Sequence, residues 1–215
     1  MKIGFCYDSK KNYPGNSKIE DVSAEYESEE TIETLTEILS EIGEVKKLPW
    51  HKDLFSDLKN YCPDVVFNIT ESWGSRNRES FVPNFCEILG IPYTGSDGVA
   101  LGVSLDKELT KKVARSVGVI TASSQKIKTL EEINEIDNLN FPLFIKPNNE
   151  GSSIGIRKSS RINNQKELSD RVEKMLKQYK KSVLIEEFMI GREFAVALLG
   201  NKDPEIFPVS EIIVD

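Results

Sequence analysis

The run FPLFIKPNNEGSSIGI, residues 141–156, sets one lysine near the end of an apolar stretch and a loop of small residues just after it. Lys146 there has its stem among apolar neighbours and offers a fixed ammonium, a point charge suited to a phosphate. The loop from Glu150 through Gly151, Ser152, Ser153 and Ile154 to Gly155 carries hydroxyls and glycines. Glycine permits close backbone approach, and successive N–H groups in such a turn form a concavity for an anion. Lys107, in LDKELTK, is a second candidate cation. Downstream, VLIEEFMIGREF places Glu186 and Glu187 at a strand end and Glu193 seven residues after Glu186. Edge-strand backbone groups can hold an adenine ring, and a carboxylate can bond ribose hydroxyls. Each feature alone has an ordinary structural reading: a surface lysine, a plain hairpin, solvated glutamates. Their order along one chain points to a phosphate-bearing ligand.

These residues need elements to hold them. MKIGFCYD, EVKKLPW and DVVFNIT read as strands, the last buried on both faces because it is nearly all apolar. SEETIETLTEILSEIG reads as an amphipathic helix with Ile32, Leu35, Ile38 and Leu39 on one face, Ser28 as cap and Gly43 as stop. DLFSDLKNY and FVPNFCEILG follow as helices, giving a βαβαβα order and a doubly wound parallel sheet over roughly residues 1–100. The turn in IPYTGSDG marks a boundary. Beyond it SLDKELTKKVARSVG predicts a helix capped by Ser104, followed by strand SSQKIK, helix TLEEINEI, strand FPLFIKP, strand EGSSIGIRK and helix NQKELSDRVEKMLKQYKK. SVLIEEFM, EFAVALLG and EIFPVSEIIV close the sequence as strands. Residues 9–21 read as a mobile polar loop.

The 215 residues, 39% hydrophobic and 29% charged, describe an ordinary water-soluble chain. Its net charge of −7 argues against nucleic acid or an anionic membrane as partner. Cys6, Cys62 and Cys86 are odd in number and sit among apolar residues, so they read as reduced core residues. The single histidine, His51, argues against a histidine-based zinc centre. No run has the length of a membrane span and the start is not a secretion signal, which predicts a cytoplasmic protein. Neither GxGxxG nor GxxxxGK[ST] occurs.

The pieces SAEYES, VVFNI, LGIPYTGS, LDKELTK, FPLFIKPNNEGSSIGI and VLIEEFMIGREFAVALLG, spread in order from residue 23 to 200, resemble the D-alanine–D-alanine ligase family of the ATP-grasp superfamily. The resemblance implies an α/β fold with a Rossmann-like N-terminal domain on a parallel sheet (1–101). A central ATP-grasp subdomain of α+β type (102–186) and the start of a C-terminal ATP-grasp subdomain (187–215) would follow. It implies that Lys107 and Lys146 contact ATP phosphates and that the loop Glu150, Gly151, Ser152, Ser153, Ile154 closes over them. Glu186, Glu187 and Met189 would hold adenine, and Glu193 the ribose. Glu25 matches an acidic residue beside the first amino acid, and Ser152 the serine linking it to the reaction centre. The implied reaction joins two D-alanines, or similar small amino acids, through an acyl phosphate, with ATP and magnesium (or manganese), for peptidoglycan precursors. A homodimer is common in the family.

Two departures from the pattern bear on function. Where the family carries a histidine-headed His-Gly-x-x-Gly-Glu-Asp-Gly loop, this chain has ESWGSRNRES, with Glu71 at the histidine position and Arg76 and Arg78 nearby. The two arginines could grip a substrate carboxylate, or form a solvated loop tip. The family's magnesium ligands are expected beyond Asp215, so no metal ligand is assigned here, and the ATP-grasp fold reads as incomplete and this chain alone as inactive. Two alternatives stay open: a non-catalytic nucleotide-binding protein, or a ligase for another amino acid or peptide.

Overall fold

The computed structural model describes residues 1–13, 21 and 23–213. Strand β1 (Lys2–Tyr7) is the centre of a parallel sheet ordered β2–β1–β3, with β2 (Glu44–Pro49) and β3 (Val65–Ile69) beside it. The period-two alternation of β1 sends Ile3, Phe5 and Tyr7 to one face, where Ile32 and Leu39 of α1 (Glu29–Ser40) cover them. Cys6 faces the other way, under Leu54 and Leu58 of α2 (Leu54–Tyr61) and Val82 and Cys86 of α3 (Phe81–Leu89). Helices thus cover both faces of the parallel sheet.

Several local expectations are corrected. Ser28 does cap α1, its hydroxyl accepting from the Thr31 N–H, but Ile38 is exposed and the helix ends at Ser40. Gly43 is not a stop; a Cβ there would lie 2.5 Å from the Met1 carbonyl, so glycine is needed for close passage into β2. Strand β3 is only half-buried outside Val66, because it is the outer member of the described sheet. Cys6 and Cys86 are core residues, whereas Cys62 is exposed at the left-handed end of α2.

IPYTGSDG leads into a further helix, α4 (Gly98–Leu105), capped by Asp97. Helix α5 (Lys107–Ser116) then starts at Asp106, not at Ser104: Asp106 is extended and its carboxylate accepts from the Leu109 N–H. A second, antiparallel sheet has the order β4–β7–β5–β6, from β4 (Ser124–Ile127), β5 (Leu143–Pro147), β6 (Arg161–Ile162) and β7 (Val183–Glu187). Ile127, Leu143, Ile145, Val183 and Ile185 pack under Leu168, Val172 and Met175 of α6 (Gln165–Tyr179). By alternation Lys126, Lys146 and Glu186 belong to the opposite face.

TLEEINEI forms only a 3-10 turn, Glu131–Glu135, with Ile133 its sole buried residue. EGSSIGIRK is no strand: Ser152, Ser153 and Gly155 all have positive φ (42°, 58° and 78°), which breaks any ladder. The last two apolar runs each divide into short pieces, β8 (Glu193–Ala195) with β11 (Ser210–Ile212) and β9 (Leu198–Leu199) with β10 (Glu205–Ile206), all exposed. Of the polar loop, Lys10–Asn12 form a 3-10 turn, and residues 14–20 and 22 lie outside the described residues. Among the described residues no helix is long and apolar enough to cross a membrane.

Candidate functional site

The N-terminus of α5 is pinned to the end of β5 by Asn148, which is fully buried. Its Nδ2 donates to Asp106 at 2.8 Å, its Oδ1 accepts from the Glu108 N–H at 3.0 Å, and its carbonyl accepts from the Lys107 N–H at 3.1 Å. That junction brings the two candidate cations into one neighbourhood. Lys107 donates its ammonium to the Glu150 carbonyl. Lys111, one helical turn on and so on the same face of α5, lies 2.5 Å from one Glu186 oxygen; Lys146 lies 2.5 Å from the other. Burial alone would raise the Glu186 pKa, but the bonds from Lys111 and Lys146 hold it below the ordinary carboxylate range. Burial and the nearby Lys146 charge push the Lys107 ammonium below its usual range. Two partly desolvated ammonium groups in this position fit a phosphate, whose charge both would gain by meeting.

The loop after β5 adds backbone donors. Ser152 and Ser153 are left-handed although neither is glycine, and among the described residues their N–H groups take no partner. Such a run is the nest geometry that receives phosphate oxygens. The loop is anchored at both ends: the Gly151 N–H donates to Glu25 at 2.5 Å and the Gly155 N–H to Asp21 at 2.8 Å. Asp21 also accepts from Tyr179 at 3.1 Å and pairs with Arg157 at 2.8 Å.

Glu25 forms the second centre, 2.7 Å from Arg78, with both side chains 3% exposed. Arg78 also donates to the Asn149 carbonyl at 3.2 Å and lies 3.7 Å from Glu150 and 3.6 Å from Glu79. It is therefore no solvated tip, and its charge is already engaged. The contact between Glu25 and the loop runs through the Gly151 N–H rather than a Ser152 hydroxyl. Burial, then the charges of Glu79 and Glu25, push Glu71 well above the usual carboxylate range, and burial raises Glu79 as well. Carboxylate oxygens of Glu25, Glu71 and Glu79 lie within 4.8 Å of one another. They do not fit magnesium: Arg78 already holds the cation position beside Glu25, and burial holds Glu71 and Glu79 above the usual carboxylate range.

Other expected residues stand apart. Arg76 is exposed, 3.5 Å from Asp106, and lines an adjoining cleft of about 780 Å³ with Lys126 and Lys180. Glu187 points away from Glu186 and accepts from Asn140; Met189 and Glu193 are exposed. The sequence reading did not single out Lys111, Asn148 and Asp21. Lys111 was readable from its spacing of four to Lys107; the other two have no local signal.

A family model described as "D-ala D-ala ligase C-terminus" matches residues 109–215. The D-alanine–D-alanine ligase of Aquifex aeolicus is 35% identical over 184 residues, covering 85% of this chain and 60% of that protein. A D-alanine–D-alanine ligase structure from Helicobacter pylori superposes with a TM-score of 0.68 at 20% identity, covering 99% of this chain and 75% of that one. One from Bacillus anthracis complexed with ATP gives 0.61 at 20% identity, covering 100% and 71%. At these identities the structures speak for the fold. The chain spans about half the length of the curated relatives it matches. On the family model and the shared sequence, the chain belongs to the D-alanine–D-alanine ligase family.

Proposed function

We propose that this chain is the nucleotide- and substrate-holding part of an ATP-dependent carboxylate–amine ligase, acting in the cytoplasm on small amino acids such as D-alanine to make peptidoglycan precursors. Residues 1–101 form its Rossmann-like substrate domain, 102–186 its central ATP-grasp subdomain and 187–215 the start of the next. The observation that carries this reading is the convergence of Lys107, Lys146 and the left-handed Ser152–Ser153 turn at one end of the antiparallel sheet. When bound, ATP supplies the phosphoryl group that activates a carboxylate toward an amine. Lys107 and Lys146 then balance the phosphate charge, their own charges being met by Glu150 and Glu186 in the ligand-free chain. The loop amides fix the phosphate oxygens, and Glu25, tied to the same loop through Gly151, holds the first substrate near them. In this reading Glu186, paired with Lys111 and Lys146, neighbours the phosphates in addition to its expected role at adenine. Magnesium has no set of ligands among the described residues, and no step is assigned to it.

Calorimetric titration with ATP tests the reading. The wild-type chain should bind, and the Lys107→Ala/Lys146→Ala chain should bind at least about tenfold more weakly with an unchanged circular dichroism spectrum. Equal binding by both would remove the assignment.

A further inference from the structure

A cavity of about 780 Å³ lies where the chain leaving the loop after β5 meets helix α6. Four cations line it: Arg157 and Lys158 from the chain after Gly155, and Arg171 and Lys174 from α6. Gln178 joins them, because positions 171, 174 and 178 share one helix face. Among the described residues no carboxylate lines this cavity. Asp21 meets Arg157 at 2.8 Å, whereas Lys158, Arg171 and Lys174 have no ion-pair partner among those residues. Glu167 and Asp170 line an adjoining cavity of about 320 Å³ with Arg161 and pair with none of the four. Arg171 is the fixed member of the set. Its Nη2 donates to the Gly155 carbonyl at 2.9 Å and to the Ser160 hydroxyl at 3.4 Å. Its Nε is buried and has no hydrogen-bond partner among the described residues. Burial, and with it the Arg157 charge, pulls the Arg171 guanidinium below its usual range.

We propose that this cavity binds a diphosphate, free or as the end group of a small ester, at a site separate from the one read for ATP. The separation follows from the sheet. Helix α6 covers the face that carries Ile145 and Ile185, whereas Lys146 and Glu186 belong to the opposite face, and neither Lys107 nor Lys146 lines the cavity. Three cations without a carboxylate call for a ligand with more than one negative charge; a single carboxylate or chloride would meet only one of them. The Arg171 Nε–H is a donor already stripped of water, so an oxyanion gains a charge-assisted bond there at little further desolvation. The volume falls among small-molecule sites, which run to about 300–1,000 Å³, and leaves room for a short ester beside the phosphates. A nucleic-acid backbone is a poorer match, since the whole chain carries a net charge of −7. An oxyanion on Nε also holds Arg171 where it supports the Gly155 carbonyl, and so bears on the loop that carries Ser152 and Ser153.

Calorimetry at low salt on the Lys107→Ala/Lys146→Ala chain tests this site with the other one weakened. The probes are inorganic pyrophosphate, methyl diphosphate and acetate. At least one diphosphate should bind at least about tenfold tighter than acetate. Adding Lys158→Gln/Lys174→Gln, at two exposed positions, should weaken that binding at least about tenfold with circular dichroism unchanged. Arg171→Gln should weaken it as well; if that chain fails to fold, because Arg171 also holds Gly155, the lysine pair carries the test. In proton NMR the bound diphosphate should shift the Arg171 Nε–H resonance. Tighter binding of methyl diphosphate assigns the site to an ester, and tighter binding of pyrophosphate to the free anion. Heat from neither diphosphate, acetate binding as tightly, an unaffected lysine pair or an unmoved Arg171 resonance would each overturn the proposal. ATP titration of the wild-type chain keeps the two claims apart. ATP binding with no diphosphate site removes this inference alone, and a diphosphate site without ATP binding removes the ligase reading and leaves this one standing.

Discussion

The Lys146 ammonium lies 2.5 Å from one oxygen of Glu186, whose other oxygen is held by Lys111 at the same distance. One largely buried carboxylate thus serves two cations from different elements, β5 and α5. Removing one cation leaves the other in place. Lys146→Met, which keeps an apolar stem, should cost less than about 1 kcal/mol in urea denaturation. The Lys111→Met/Lys146→Met chain leaves Glu186 unpaired and should lose about 3 kcal/mol or more, well beyond the sum of the single changes. Additive losses would show that the three groups are not coupled.

The Glu25–Arg78 pair is a stricter case, because both side chains are almost sealed from water. Truncating one partner of such a pair strands the other. Arg78→Ala should lower unfolding free energy by about 3–5 kcal/mol, and Arg78→Lys by less, since lysine restores the charge but not the forked geometry. Denaturant midpoints of the three chains would check the order.

Asp8 gives a pH dependence. Burial lifts its pKa to about 6, against the backbone bonds from Ser72 and Glu71 that lower it, and its Oδ1 has no partner among the described residues. A folded value above the unfolded one means the contribution to stability is fully present below about pH 3.9 and is lost as pH rises through about 6. Asp8→Asn keeps an oxygen for the two N–H groups and never ionises. Its melting temperature should therefore gain on wild type between pH 4 and pH 8, by the equivalent of about 2–3 kcal/mol. A difference between the two chains that is constant over this range would contradict the assignment.

Gly155 has φ +78°, and a Cβ there would stand 2.6 Å from Pro147 Cγ. Gly155→Ala should destabilise by about 1–3 kcal/mol and weaken ATP binding through the displaced Ser152–Ser153 turn. Thermal melts and ATP titration of this variant report the two effects separately.

The sequence carried the periodic elements well. The alternating β1 and the long amphipathic α6 have strong repeats, and Lys107 and Lys146, which the fold brings to one neighbourhood, stand out by residue type and position. What failed had no local marker. The chain breaks at Asp106 without glycine or proline, because its carboxylate caps α5 as well as any serine could. In EGSSIGIRK, Ile154 and Ile156 imitate strand alternation while positive φ at Ser152 and Ser153 forbids a strand. The role of Arg78 depends on Glu25, 53 residues earlier, and on the Asn149 carbonyl, 71 residues later; no window of sequence contains that pairing.

The unequal burial of the three cysteines has a practical use. Burial pushes the Cys86 thiol to about 12 and Cys6 higher still, so neither supplies thiolate at neutral pH. Cys62 sits in the open at the end of α2. A maleimide dye should therefore attach at a single place without mutagenesis, and placed on the parallel-sheet unit it can report by energy transfer whether that unit changes its distance from a second label on α6 when ligands bind.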